Sequence, residues 1–116
     1  MENEKISFDE YQKEAFDLIS EDGRKDMVLN GVLGLAGESG ECCDIVKKVR
    51  FQGHEMDRDH PIGELGDVLW YIAETASGLN VSLEEVARRN LDKLHKRYHG
   101  NHFNKEDSLH REKGDQ

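Results

Sequence analysis

The sequence predicts an all-α protein, a bundle of four helices that completes its core by homo-oligomerisation. Three observations lead there. Apolar residues recur at spacings of three and four through four segments, and no segment reads as a strand. Ser7-Phe8-Asp9-Glu10 and Ser82-Leu83-Glu84-Glu85 both have the capping-box pattern that opens a helix. Hydrophobic residues make up 35% of the 116 residues and charged residues another 35%, so a thin amphipathic layer has little apolar area to bury by itself.

Each element follows from local signals. The first helix opens at Ser7, carries Phe8, Tyr11, Ala15, Phe16, Leu18 and Ile19, and stops near Glu21-Asp22-Gly23. The second runs from about Asp26 to Arg50, with Met27, Val28, Val32, Leu35, Cys42, Ile45, Val46 and Val49 as its apolar positions and Gly53 just beyond as a C-terminal stop. Residues 52–60 form a polar loop. Pro61, the one proline, then stands in the first turn of a third helix, where its missing N–H costs nothing. Ile62, Leu65, Val68, Leu69, Ile72, Ala73 and Ala76 are its expected buried stripe, and Gly78-Leu79-Asn80 ends it. The fourth helix reaches Tyr98 or His99 before Gly100. Residues 1–100 form one helical domain, and 101–116 are a polar tail with Phe103 as its single large apolar side chain.

A net charge of −9 argues against a nucleic-acid polymer as partner, because phosphate contacts need a basic face. A bound divalent cation would still let an acidic protein take a phosphorylated ligand. No apolar run approaches the ~20 residues that span a membrane, and no apolar signal segment follows the polar start. The two cysteines, Cys42 and Cys43, are adjacent and make no disulfide framework, which points to a reducing cytoplasm.

The chemistry lies in the acids. Glu38 and Glu41 are three apart on the second helix, and Glu64 and Asp67 are three apart on the third. Residues three apart share a helix face, so antiparallel packing would converge four carboxylates. Four uncompensated acids repel by several kcal/mol at protein dielectric values, and a hard cation removes that conflict. All-oxygen ligation favours Mg²⁺, with Mn²⁺ as a substitute. The plain alternative is that these are ordinary surface acids of an acidic helical protein. Gly31, Gly34, Gly37 and Gly40 recur every third residue, and Gly63 and Gly66 flank Glu64. Each helical glycine costs ~1 kcal/mol relative to alanine, so the run implies close approach of a helix or of a ligand.

Three segments in order carry a resemblance: Gly34-Leu35-Ala36-Gly37-Glu38-Ser39-Gly40-Glu41, then Glu64-Leu65-Gly66-Asp67-Val68-Leu69-Trp70-Tyr71, then Asn90-Leu91-Asp92-Lys93-Leu94 with Lys96-Arg97-Tyr98. Over roughly residues 11–98 the chain resembles the MazG family of nucleotide pyrophosphohydrolases, with 22 residues between Glu41 and Glu64. It departs from many members in having Gly37 where they carry a further glutamate. The resemblance implies an all-helical dimer or tetramer that hydrolyses nucleoside triphosphates between the α and β phosphorus atoms. Glu38, Glu41, Glu64 and Asp67 would hold Mg²⁺, a bound water would be activated for attack, and Glu41 or Glu38 would take its proton, with Glu41 preferred. Asn90 would contact the nucleotide, with Lys93 and Arg97 on phosphate oxygens and Lys48 as a similar candidate. Tyr71 would line the sugar or base pocket, and Tyr11 and Gln12 are further nucleotide candidates. The nearest rival is a phosphoribosyl-ATP pyrophosphatase; a more distant one is a non-catalytic helical interaction protein.

Overall fold

The structure, a computed structural model, describes residues 4–111, 114 and 115. Among them there is no strand, and six helices follow one another: α1 (Phe8–Asp17), α2 (Glu21–Arg24), α3 (Met27–Phe51), α4 (Asp59–Gly78), α5 (Leu83–Arg97) and α6 (Lys105–Leu109). The chain divides into two compact units, one ending at Leu83 and one beginning at Glu84. None of the described helices is long and apolar enough to cross a membrane.

In the first unit, α1 starts where the Ser7 hydroxyl accepts the Glu10 amide at 3.1 Å, the serine half of the expected box, and donates to the Glu10 carboxylate at 3.2 Å. The single long first helix expected to reach residue 21 is two helices. α1 ends at Asp17, and Ser20 caps a separate four-residue turn, α2, by accepting the Gly23 amide at 3.0 Å. A serine hydroxyl aimed at its own downstream amide competes with helix continuation, which is why the periodicity of Leu18 and Ile19 overran the true end. Asp26 caps α3 by accepting from Leu29. Gly53, at φ +73°, takes the left-handed position just past α3. At the end of α4, Asn80 holds φ 57° while the amides of Asn80 and Val81 return to the carbonyls of Ser77 and Ala76. That is a Schellman closure, with asparagine in the place glycine usually takes.

α3 and α4 form an antiparallel hairpin with a regular register. Val28 meets Gly78, Gly31 meets Thr75, and Gly34 receives the ring of Tyr71. A Cβ at Gly31 or Gly34 would collide with those side chains, so these two glycines let the helices approach closely. Gly37, Gly40, Gly63 and Gly66 face open space instead. Beside this seam the carboxylate of Glu74, only 1% exposed, takes both its oxygens to the Asn30 amide group at 2.8 Å. Helix α1 lies against α4, where Ala15, Ala73, Ala76 and Leu83 form the fully buried core, with Tyr11, Trp70, Ile72 and Val81 packed around it.

That core is small. Val32, Ile62, Leu65 and Leu69, expected in the buried stripes, are exposed in the single chain, as are Leu29 and Leu33. Both helices of the hairpin therefore leave large apolar side chains open in the single chain. In the second unit the tail is partly ordered. Asn104 caps α6, Phe103 tilts against Tyr98 with ring centres 5.4 Å apart, and Asp107 accepts from the His99 backbone amide.

Candidate active site

The hairpin register carries Glu38 of α3 to the level of Glu64 and Asp67 of α4. One carboxylate oxygen from each lies within 4.8 Å of the others, a spacing that one cation can bridge. Glu38 and Glu64 are half-buried and Asp67 is exposed, so the trio sits at an open edge of the hairpin and not in its interior. Glu64 is the most telling member. Its Oε2 is buried without a hydrogen-bond partner, a costly condition for a carboxylate oxygen unless a ligand meets it. His60 approaches the other oxygen at 3.7 Å.

The electrostatics agree with this crowding. Glu38 is held above the ordinary glutamate range, first by the hydrogen bond it shares with Glu64, then by desolvation and the fields of Asp67, Glu64 and Glu41. Desolvation raises the Cys42 thiol, and the fields of Glu64, Cys43, Glu38 and Glu41 raise it further, so it stays protonated beside the acids. The Tyr11 phenol is likewise raised, by burial and then by Asp67. An all-carboxylate set suits a hard cation better than zinc.

Glu41 does not join the trio. It is exposed and lines an adjoining cavity of about 320 Å³ with Asp44, Lys48, His54 and His60. Lys48 reaches that cavity but is paired with Asp44 at 2.8 Å, a contact that lowers the aspartate and raises the lysine. Tyr71 fills the space over Gly34, its ring edge-on to Trp70 at 5.0 Å, and so is part of the helix seam. Gln12 is fully spent on structure: its amide donates to Ser77 and to the Val81 carbonyl, and its oxygen accepts the Leu83 amide. In the other unit Asn90 and Lys93 are exposed, whereas Arg97 is held by Asp115 in a two-point ion pair.

Several residues around these sites carried signals that the acidic motifs overshadowed. Cys42 is four after Glu38, His60 is four before Glu64, and Glu74 is seven after Asp67, all helical neighbours of one of the three acids. Asp115 had no such signal, because nothing local ties a tail aspartate to Arg97.

Residues 29–103 match the MazG nucleotide pyrophosphohydrolase domain, a span that contains the trio, Glu41, Asn90, Lys93 and Arg97. The chain belongs to the MazG family. The gene 37 protein of Mycobacterium phage L5 is 44% identical over 69 residues, covering 56% of this chain and 60% of the phage protein. The chain thus spans less than two thirds of that relative. No solved structure matches the chain. The all-helical architecture of the described residues agrees with that membership.

Proposed function

We propose that this MazG protein hydrolyses nucleoside and deoxynucleoside triphosphates at the α–β phosphate bond, with Mg²⁺, releasing a monophosphate and pyrophosphate as nucleotide-pool housekeeping in the cytoplasm. The observation that carries the reading is the Glu38–Glu64–Asp67 trio with the orphaned Glu64 oxygen. Those residues would hold the cation, which supplies phosphate charge neutralisation and an acidified water. Glu41, exposed and one turn from Glu38, would take the proton of that water. Lys48, Asn90, Lys93 and Arg97 are the proposed polar contacts to the nucleotide, and Tyr71 fixes the hairpin under the acids. The exposure of Leu29, Leu33, Ile62, Leu65 and Leu69 supports a homodimer or homotetramer.

The test is pyrophosphate release from a panel of ribo- and deoxynucleoside triphosphates with and without Mg²⁺, beside Glu38→Gln and Asp67→Asn. Release that needs the metal and falls at least about 100-fold in both variants, the scale of a lost electrostatic contact to the reacting centre, supports the reading. A folded protein that releases pyrophosphate from none of them overturns it; release from phosphoribosyl-ATP alone would replace it.

A further inference from the structure

The cavity beside the acidic trio has a lining that neither a metal nor phosphates explain. It measures about 320 Å³, inside the range of small-ligand pockets, about 300–1,000 Å³. Two of its residues tie it to the trio: Glu41 stands one turn after Glu38, and His60 lies 3.7 Å from a Glu64 oxygen. One wall is the loop after α3, and that wall is pinned. Gly53 turns the chain through its left-handed conformation, and the amides of Gln52 and His54 both return to the Lys48 carbonyl, at 3.0 and 3.2 Å. Asp57 is fixed as well, its Oδ1 accepting the Asp59 amide at 3.1 Å.

The lining decides what fits. Glu41, Asp44, Glu55 and Asp57 put four carboxylates around the cavity against one ammonium group, that of Lys48. A phosphate group is repelled there, so the triphosphate stays with the cation and the cavity is left for the nucleoside end of the substrate. Ile45 and Val49, one turn apart on α3 and both half-buried, supply apolar surface for the face of a ring. Beside them α3 presents an acceptor next to a donor, because Asp44 Oδ2 lies 2.8 Å from Lys48 Nζ. Lys47 is 3.4 Å from the other Asp44 oxygen. A carboxylate has about four lone-pair sites and an ammonium group three donors, so both keep capacity after pairing.

Four carboxylates and one ammonium group match a base edge with more donors than acceptors. Guanine has such an edge, with N1–H and the N2 amino group as donors and O6 as the acceptor. Adenine, cytosine and uracil each offer one donor group against at least one acceptor. We infer that this cavity is a base pocket that selects guanine, with Asp44 accepting from N1–H and the N2 amino group while Lys48 donates to O6. The inference rests on the hydrolase reading and gives it a substrate class, the guanine nucleoside triphosphates. Asp44 enters as the residue that determines specificity, with Glu55 and Asp57 as further acceptors at the wall.

The first arm of the test uses the full chain in EDTA, so that no hydrolysis intervenes. Guanosine, adenosine and uridine are titrated while the ring protons of His54 and His60, both in the lining, are followed by NMR. Guanosine is expected to move both rings with a Kd at least about tenfold below those of the other two, the discrimination of one two-point pair to a base edge. Asp44→Asn, which keeps the shape and removes the charge, should bring the three within about twofold. Rings unmoved by guanosine, equal affinity for the three nucleosides, or a preference that survives Asp44→Asn overturns the inference. The second arm compares kcat/KM for pyrophosphate release from GTP, ATP and UTP with Mg²⁺, where the same preference and the same loss in Asp44→Asn are expected. The two arms keep the readings apart. Guanosine preference without release from any triphosphate leaves the pocket and sinks the hydrolase; release at equal kcat/KM leaves the hydrolase and sinks the pocket.

Discussion

Glu74 and Asn30 illustrate how much one buried contact can decide. The Glu74 carboxylate is sealed inside the hairpin and its two oxygens share one amide group. Removing that amide leaves a buried acceptor unsatisfied, so Asn30→Ala is expected to destabilise the protein by about 1–3 kcal/mol in chemical denaturation. Asn30→Asp, which sets two acids face to face, should be worse. If Asn30→Ala unfolds at the same denaturant concentration as the parent, water already satisfies Glu74 and the contact is incidental. At Asp115 the relevant variable is pH. The Arg97 hydrogen bonds, aided by Arg111 and Lys93, hold this carboxyl below its ordinary value. A depressed acid contributes stability above its unfolded pKa and loses it as pH falls through the folded value. The clasp is therefore complete at neutral pH and opens only below the usual carboxylate range. The Arg97 Nε proton, followed by NMR, should stay protected at pH 6 and exchange rapidly once the solution is acidified past that range. Rapid exchange at neutral pH would show that the pair is open in solution.

At the scale of elements, the glycines of α3 separate into two kinds that look alike in sequence. Gly31 and Gly34 sit under Thr75 and Tyr71, and alanine there drives a methyl group into the α4 seam. Overpacking of that kind costs about 1–3 kcal/mol. Gly40 meets nothing in its own chain, and alanine there should gain up to ~1 kcal/mol of helix propensity. Thermal melts of Gly34→Ala and Gly40→Ala should therefore shift in opposite directions. A fall in both would mean that a second molecule covers Gly40. The same division answers a question the sequence left open. Helix packing explains the first two glycines, while Gly37, Gly40, Gly63 and Gly66 meet nothing within the described chain.

For the whole molecule, the fully buried core of one chain is a few small side chains, whereas Leu33 and Leu65 are 64% and 61% exposed. Large exposed leucines on an otherwise highly charged protein are the kind of surface that association covers, in line with the proposed oligomer. Sedimentation of the unaltered protein should give a dimer or tetramer. Leu33→Lys with Leu65→Lys should shift it toward monomer and lower the melting temperature. A monomer before substitution would remove the oligomer from the proposal and leave those leucines unexplained.

The sequence by itself determined the all-α class, the starts of α1 and α3, the stops at Gly53 and Asn80, and the identity of the acids, because capping, propensity and i, i+3 spacing act within a turn or two of chain. Family membership was legible for the same reason, since its motifs are local strings. Which acids share one point was a matter of register between two helices. That register follows from Tyr71 seating over Gly34 and Thr75 over Gly31, and it joins Glu38 to Glu64 and Asp67 while leaving Glu41 outside. The periodicity of α4 marked Leu65 and Leu69 as apolar but had no means of saying which neighbour would cover them. The Arg97–Asp115 clasp closes over 18 residues of chain. Only the folded path of the tail brings those charges together, because no local periodicity links a helix to a loop that returns to it.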